Sequence, residues 1–264
     1  MKKVILTLTL VLSCLMVFTG MAGCNRSSKE TIRVGTSAVT RPHTFMDNDE
    51  LTGYDIEVIR ELATRIPGAE LEFVYGNMTE LQELLRTDRI DIIVNNVAKN
   101  AARLEEFIFS ENGYVFNETF LVVNGNDTRT TLDQFEGAIM GGTDPGNWFY
   151  RMLDEYNQEN GEPFAEIRSY ENYDALFMDI DLGRIDGTVN DSPIVAFSAE
   201  AMNLNIKYVG EVLDAEFSFF MMQNSDKGRD LKAKIDKALG EAISDGKLLE
   251  ISMEWFGRDM THER

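Results

Sequence analysis

Cysteine is nearly absent: the 264-residue chain has two, Cys14 and Cys24. Both fall in the first tenth of the chain, so disulfides, thiolate metal sites and a cysteine nucleophile are excluded from everything beyond. Histidine is as scarce, with only His43 and His262. They lie far apart, in no metal-ligand spacing. A serine triad would have to use one of these two, and His262 sits in the tail. There is no Gly-x-Ser-x-Gly elbow and no phosphate-cradling glycine loop. No catalytic residue, metal or cofactor is therefore expected. Positive charge is also short: 25 Lys and Arg against 45 Asp and Glu give a net charge of −20. Such a surface repels nucleic acid and anionic lipid headgroups, so neither is expected as a partner.

The first residues do carry a positive start, Lys2 and Lys3, followed by an apolar stretch over residues 4–18 and the small residues Gly20-Met21-Ala22-Gly23. This is the layout of a secretory signal, too short for a membrane span. Met21-Ala22-Gly23-Cys24 resembles the lipobox of bacterial lipoproteins, with methionine where leucine is usual. That resemblance implies cleavage before Cys24 and a lipid on its sulfur. The alternative is an ordinary cleaved signal with an incidental cysteine. Residues 25–30, Asn-Arg-Ser-Ser-Lys-Glu, read as a polar tether. Residues 1–23 are thus expected to be the signal and 24–30 the lipidated tether. Without residues 1–23 the chain has 264 − 23 = 241 residues and a charge of −20 − 2 = −22, enough for one large or two small domains.

Short apolar runs alternate with amphipathic helical stretches, the pattern of an α/β protein. Strands are expected at 31–35, 71–74, 90–94 and 119–123. Ile56, Ile59, Leu62, Ala63 and Ile66 share one helical face, ended by Pro67-Gly68. Thr79 with Gln82, and Thr131 with Gln134, are spaced as capping boxes. Gly141-Gly142-Thr143-Asp144-Pro145 links a strand to a helix near 147–156, and 229–257 reads as helical. The run 85–91 has a faint echo at 182–186, each followed by a strand with a polar end: Asn95-Asn96 in one case, Asn190-Asp191 in the other. In open α/β sheets ligands collect at the carboxyl ends of strands, so Asn96 and Asn190 are candidates for a shared crevice. Ordinary loop asparagines are the alternative.

Leu51-Thr52-Gly53-Tyr54-Asp55-Ile56-Glu57-Val58 resembles the polar amino acid family of ABC-transporter solute-binding proteins. The likeness continues in order through 85–94, 103–110, Gly142-Thr143, 183–193 and Glu254-Trp255-Phe256-Gly257. Asn95-Asn96-Val97, Thr188-Val189-Asn190-Asp191-Ser192 and the run 255–261 are most similar to cystine-binding members. The resemblance implies a periplasmic-binding-protein-like fold of type II, with two α/β lobes joined by two crossover strands. Residues 31–117 and 216–264 would form lobe 1, and residues 118–215 lobe 2.

By the same resemblance, Arg103 binds the ligand carboxylate, which its planar fork takes bidentately. A surface arginine paired with Glu105 or Glu106 is the alternative. Asp191 accepts the ligand ammonium, or else caps a helix that starts at Asp191-Ser192-Pro193. Gly142 and Thr143 offer amides at a helix start, or make a plain turn. His43 and Met78 stand where the family has an aromatic sandwich, and Ala98 stands where it has a threonine. Phe45 and Tyr75 lie close enough in sequence to restore the aromatic wall. A methionine-lined pocket suits a sulfur-containing side chain. Lys99 either faces solvent or favours an acidic side chain.

The expectation is a monomeric, lipid-anchored, extracytoplasmic receptor that captures cystine or another polar L-amino acid for an ABC permease and its ATPase. A cyclohexadienyl-dehydratase-like enzyme would need a carboxylate as acid or base in the cleft. A sensory domain would need a membrane span and an output segment. Replacing Cys24 with serine should move the protein from the membrane to the soluble fraction without changing binding in solution. Continued membrane retention of that variant would count against the anchor.

Overall fold

The computed structural model describes residues 29–263, so Cys24 and the signal lie outside the described residues. In chain order, β1 (Glu30–Thr36) is followed by three short strands, β2 (Val39–Thr40), β3 (Thr44–Asp47) and β4 (Glu50–Thr52). Then come α1 (Tyr54–Thr64), β5 (Ala69–Tyr75), α2 (Met78–Arg86), β6 (Ile92–Ile93), α3 (Ala101–Glu106) and β7 (Phe107–Phe109). The long β8 (Val115–Asn124) leads to β9 (Ile139–Gly142), α4 (Trp148–Glu159), β10 (Glu166–Ser169), α5 (Tyr173–Asp181), β11 (Gly187–Asp191) and α6 (Ser192–Met202). A second long strand, β12 (Ile206–Ser218), precedes β13 (Met221–Gln223), α7 (Asp226–Ser244) and α8 (Lys247–Phe256).

Two five-stranded sheets result, in the orders β5-β1-β6-β13-β7 and β10-β9-β11-β8-β12. Each has its own core. Ile32, Val34, Ile59 and Leu62 pack with Ile235 and Leu239 in one, and Leu121, Met140, Phe177 and Val189 pack together in the other. Parallel neighbours on either side of β1 demand crossovers, which α1 and α2 supply. β8 and β12 pair antiparallel from Ile206 opposite Asn124 to Ser218 opposite Val115, with a register shift between Val209 and Asp214. Their Val115/Ser218 ends reach the first lobe, where Ser218 bridges Ala98. Two strands therefore cross between two α/β lobes, as expected.

The family-like stretch around Gly53 has a physical reading. Gly53 begins α1 at φ 121, where L side chains are strained. A Cβ there would also sit 2.3 Å from the His43 carbonyl oxygen. Its two successors anchor the lobe. The Tyr54 hydroxyl donates to the Tyr114 carbonyl at 2.6 Å, and Asp55 is fully buried.

Two local expectations are corrected. Thr79 and Gln82 form no capping box, because α2 starts earlier and Asn77 with Glu80 makes the reciprocal pair. The Thr79 hydroxyl instead donates to Asp144 Oδ1 at 2.7 Å, reaching the other lobe. The helical run at 229–257 is broken at Gly246, whose φ of 82 ends one helix and starts the next. The Thr131/Gln134 box is present and opens a 3-10 turn, Leu132–Phe135. Gly53→Ala should cost about 2 kcal/mol or more, from strain plus the backbone clash. Urea unfolding tests it, and a cost below about 0.5 kcal/mol, as at an ordinary surface position, would contradict the account.

Candidate functional site

Asp55 sets the position of the site. A buried carboxylate must be hydrogen-bonded, and this one takes the Asn96 amide at 2.6 Å, the Tyr114 hydroxyl at 2.9 Å and the His43 ring Nδ1 at 3.0 Å. Asn96 sits at φ 50, in the left-handed region that asparagine tolerates better than most residues. Its Oδ1 accepts from Asn117 Nδ2 at 2.9 Å and from the Ser218 hydroxyl at 2.7 Å, on the two crossing strands. Its Nδ2 then donates to Asp191 Oδ2 at 3.2 Å, across to the second lobe. The Thr119 hydroxyl donates to the other Asp191 oxygen at 2.7 Å. One polar chain thus runs from the core of one lobe to a carboxylate on the other.

Asp191 stands at the N-cap of α6 but makes no side-chain cap bond, so the capping alternative fails. Its carboxylate faces Thr119 and Asn96 instead. Burial raises its pKa, with the Thr119 hydrogen bond opposing. Arg103 is 4% exposed. Its Nη1 donates to the Ala98 carbonyl at 2.8 Å and its Nη2 to the Gly146 carbonyl of the other lobe at 3.1 Å. The surface alternative fails as well, since Glu106 is taken by Arg86. Burial, helped by nearby Arg151, pulls the guanidinium down to about 10, while Glu216 opposes.

Arg103, Asp191, Asn96, Ala98 and Met78 line one inner chamber between the lobes. As shut here it leaves about 30 Å³, and an adjoining outer cavity of about 350 Å³ shares Thr40, Met78, Asn95, Asn147 and Tyr173 with it. Further contacts close the lobes: Arg258 Nη2 donates to the Ser192 hydroxyl at 3.3 Å, and Phe45 meets the Phe197 ring at 6.0 Å between centroids.

Other expected residues lie elsewhere. His43 is fully buried against Tyr54 and Phe256 and lines neither cavity, because Asp55 claims its ring. Phe45 packs under Arg41 and against Trp255, outside the chamber. Tyr75 is 54% exposed at the end of an edge strand. Gly142 ends β9 and lies against Tyr150, where a Cβ would come within 2.7 Å. The helix start expected at Gly142-Thr143 falls later, at Asn147, and Thr143 borders only the outer cavity. Asn190 is buried, its Oδ1 accepting from the Asp191 amide at 2.9 Å. Lys99 meets neither expectation: its Nζ lies 3.4 Å from the Phe219 ring centroid, a cation–π contact.

The aromatic wall comes instead from Trp148, Phe149 and Tyr173. Trp148 and Tyr173 each open a helix behind an asparagine N-cap, and Asn147 Nδ2 donates to the Tyr173 hydroxyl at 3.0 Å. The repeated Asn-aromatic pairs 147–148 and 172–173 were the signal for them. Glu216 on β12 also lines the chamber. Burial, with Asp214 and Asp191 nearby, pushes its carboxyl up to about 8, and Arg103 opposes. Among the described residues, Glu216 Oε1, Asn117 Oδ1 and Trp148 Nε1 are buried without a hydrogen-bond partner. The site thus combines a cation, two carboxyl groups, unpaired donors and acceptors and an aromatic wall. That set suits a small zwitterion.

The family model described as bacterial extracellular solute-binding proteins, family 3, matches residues 32–258. The L-cystine-binding protein TcyK of Bacillus subtilis is 29% identical over 99% of this chain and 96% of its own length. The histidine-binding periplasmic protein of Escherichia coli is 25% identical over 98% of this chain and 99% of its own. A solved structure of an ancestral arginine-binding protein bound to arginine is 27% identical and superposes with a TM-score of 0.77, covering 86% of this chain and 98% of that one.

A carboxyl that ionises near ~4.3 in the unfolded chain and at about 8 in the folded one costs the fold stability as pH rises between those values. In ligand-free protein, Glu216→Gln should therefore raise the melting temperature by a margin that widens from pH 5 to pH 8. A margin flat across that range would contradict the electrostatic origin.

Proposed function

Because this chain belongs to the bacterial extracellular solute-binding proteins of family 3, we propose that it captures a polar L-amino acid, cystine foremost, between its lobes and hands it to an ABC permease and its ATPase. Residues 31–117 with 216–264 act as one jaw and 118–215 as the other. The observation that carries the reading is that Arg103 and Asp191, both buried and lining one chamber, form no ion pair with each other. Arg103 has five N–H donors and gives two to carbonyls, leaving three for a carboxylate. Asp191 takes two hydrogen bonds, which leaves lone pairs for an ammonium. A ligand gripped from both jaws favours the closed state, because only that state supplies both partners. A chamber of about 30 Å³ admits an amino acid only if the jaws part and reclose around it.

Cystine is favoured by the named relative TcyK and by Met78 on the chamber wall, whose thioether is a soft, polarisable neighbour for sulfur. The protein acts as a monomer held at the outer face of the membrane by a lipid on Cys24. The matched relatives named here are amino-acid-binding proteins, which favours capture over turnover. Titration of ligand-stripped protein with amino acids, followed by calorimetry or by Trp148 fluorescence, tests the reading. Arg103→Ala or Asp191→Ala leaves a ligand charge unpaired in a dry site, costing about 3–5 kcal/mol, or roughly two to three and a half decades of affinity. Unchanged affinity in both variants would overturn the assignment.

A further inference from the structure

Arg103, Asp191 and Glu216 are the charged side chains that line the inner chamber, one cation against two acids. An α-amino acid headgroup engages the first two and leaves Glu216 over. Glu216 lies directly opposite Asn117 in the ladder of the crossing strands, and cross-strand partners project from the same face of a sheet. Each carries a buried oxygen without a partner among the described residues, Glu216 Oε1 and Asn117 Oδ1. The Asn117 amide cannot turn over to offer its nitrogen. Its Nδ2 is committed to Asn96 Oδ1 at 2.9 Å and to the Ser218 hydroxyl at 3.1 Å. Two fixed acceptors side by side, one of them a carboxyl, call for a donor with several N–H bonds and positive charge.

We propose that Glu216 and Asn117 receive a second cationic nitrogen of the ligand, beyond the α-ammonium at Asp191, and so select amino acids that carry two cationic centres. This rests on the amino-acid reading above. The nitrogen belongs either to a second amino acid headgroup, as in cystine, or to a basic side chain. Asp214, on the same strand as Glu216, adds to the negative field around it, and Arg103 opposes.

The test is calorimetry on the ligand-stripped protein with two matched pairs. One pair is L-cystine against the mixed disulfide of L-cysteine and 3-mercaptopropionate, which lacks one amino group. The other is L-ornithine against L-norvaline, which lacks the side-chain amine. The parent protein should prefer the aminated member of at least one pair by tenfold or more, and the pair that shows it identifies the source of the nitrogen. Glu216→Gln should bring that preference to within about threefold, while Glu216→Asp, which keeps the charge, should retain most of it. Glu216→Gln weakening both members of a pair equally, or neither, overturns the proposal and leaves amino acid capture standing. A parent that binds amino acids but prefers neither aminated member does the same. A parent that binds no amino acid overturns the underlying reading, and this inference with it. Circular dichroism and melting curves of both variants separate loss of fold from loss of preference.

Discussion

A carboxylate shut away from water needs its hydrogen bonds, and the requirement of Asp55 organises everything between the lobes. Three donors converge on it, and one is the main-chain amide of Asn96. Fixing that amide fixes the left-handed turn, which aims the Asn96 side chain at Asn117 and Ser218 on the crossing strands and at Asp191 beyond. Asp191 is thereby held by its own lobe through Thr119 and by the other through Asn96. Without the Asp55 anchor the asparagine would lose its reason to adopt positive φ, and the Asp191 carboxylate would lose half its support.

The chamber built on this chain is electrostatically unsettled. Arg103 is buried with carbonyls for company rather than a carboxylate, and half-buried Glu216 and buried Asp191 both have raised pKa values. Pairing these groups within the protein would relieve the desolvation, but would also consume the charges that the proposed zwitterionic ligand meets. The structure keeps them apart, and the hydrophobic cores of the two lobes carry the stability that the cleft gives up.

Much of this was legible in the chain. Alternating apolar runs place β1, α1 and β5, the echo at 182–186 announces β11, and the resemblance names Arg103, Asp191 and Met78, which the structure brings to one chamber. What escaped depends on distance in sequence. Whether Asn77 or Thr79 begins α2 is a two-residue matter that both spacings satisfy, and Asp144 on the other lobe takes the Thr79 hydroxyl. His43 reads as an aromatic available for stacking until Asp55, twelve residues on, is seen to hold its ring. Trp148 and Tyr173 form one wall only after two helix starts are brought together by the second sheet. Glu216 lies in a strand exposed for much of its length, so nothing in its neighbours marks one position as turned toward a ligand.

The placement of the polar groups separates holding from closing. Asn117, Glu216 and Ser218 lie on the strands that join the lobes and line the chamber from there. Arg103 and Asp191 belong to opposite lobes, and in the proposed reading only closure brings them onto one small molecule. A ligand can shift an equilibrium between states only through contacts that differ between them. In the proposed reading the crossing strands therefore set what is admitted, and an Arg103–Asp191 grip supplies the difference in free energy that shuts the jaws. The Asn96–Asp191 hydrogen bond spans the same gap. Closing the lobes thus completes the protein's own polar chain at the moment it would complete the proposed ligand's.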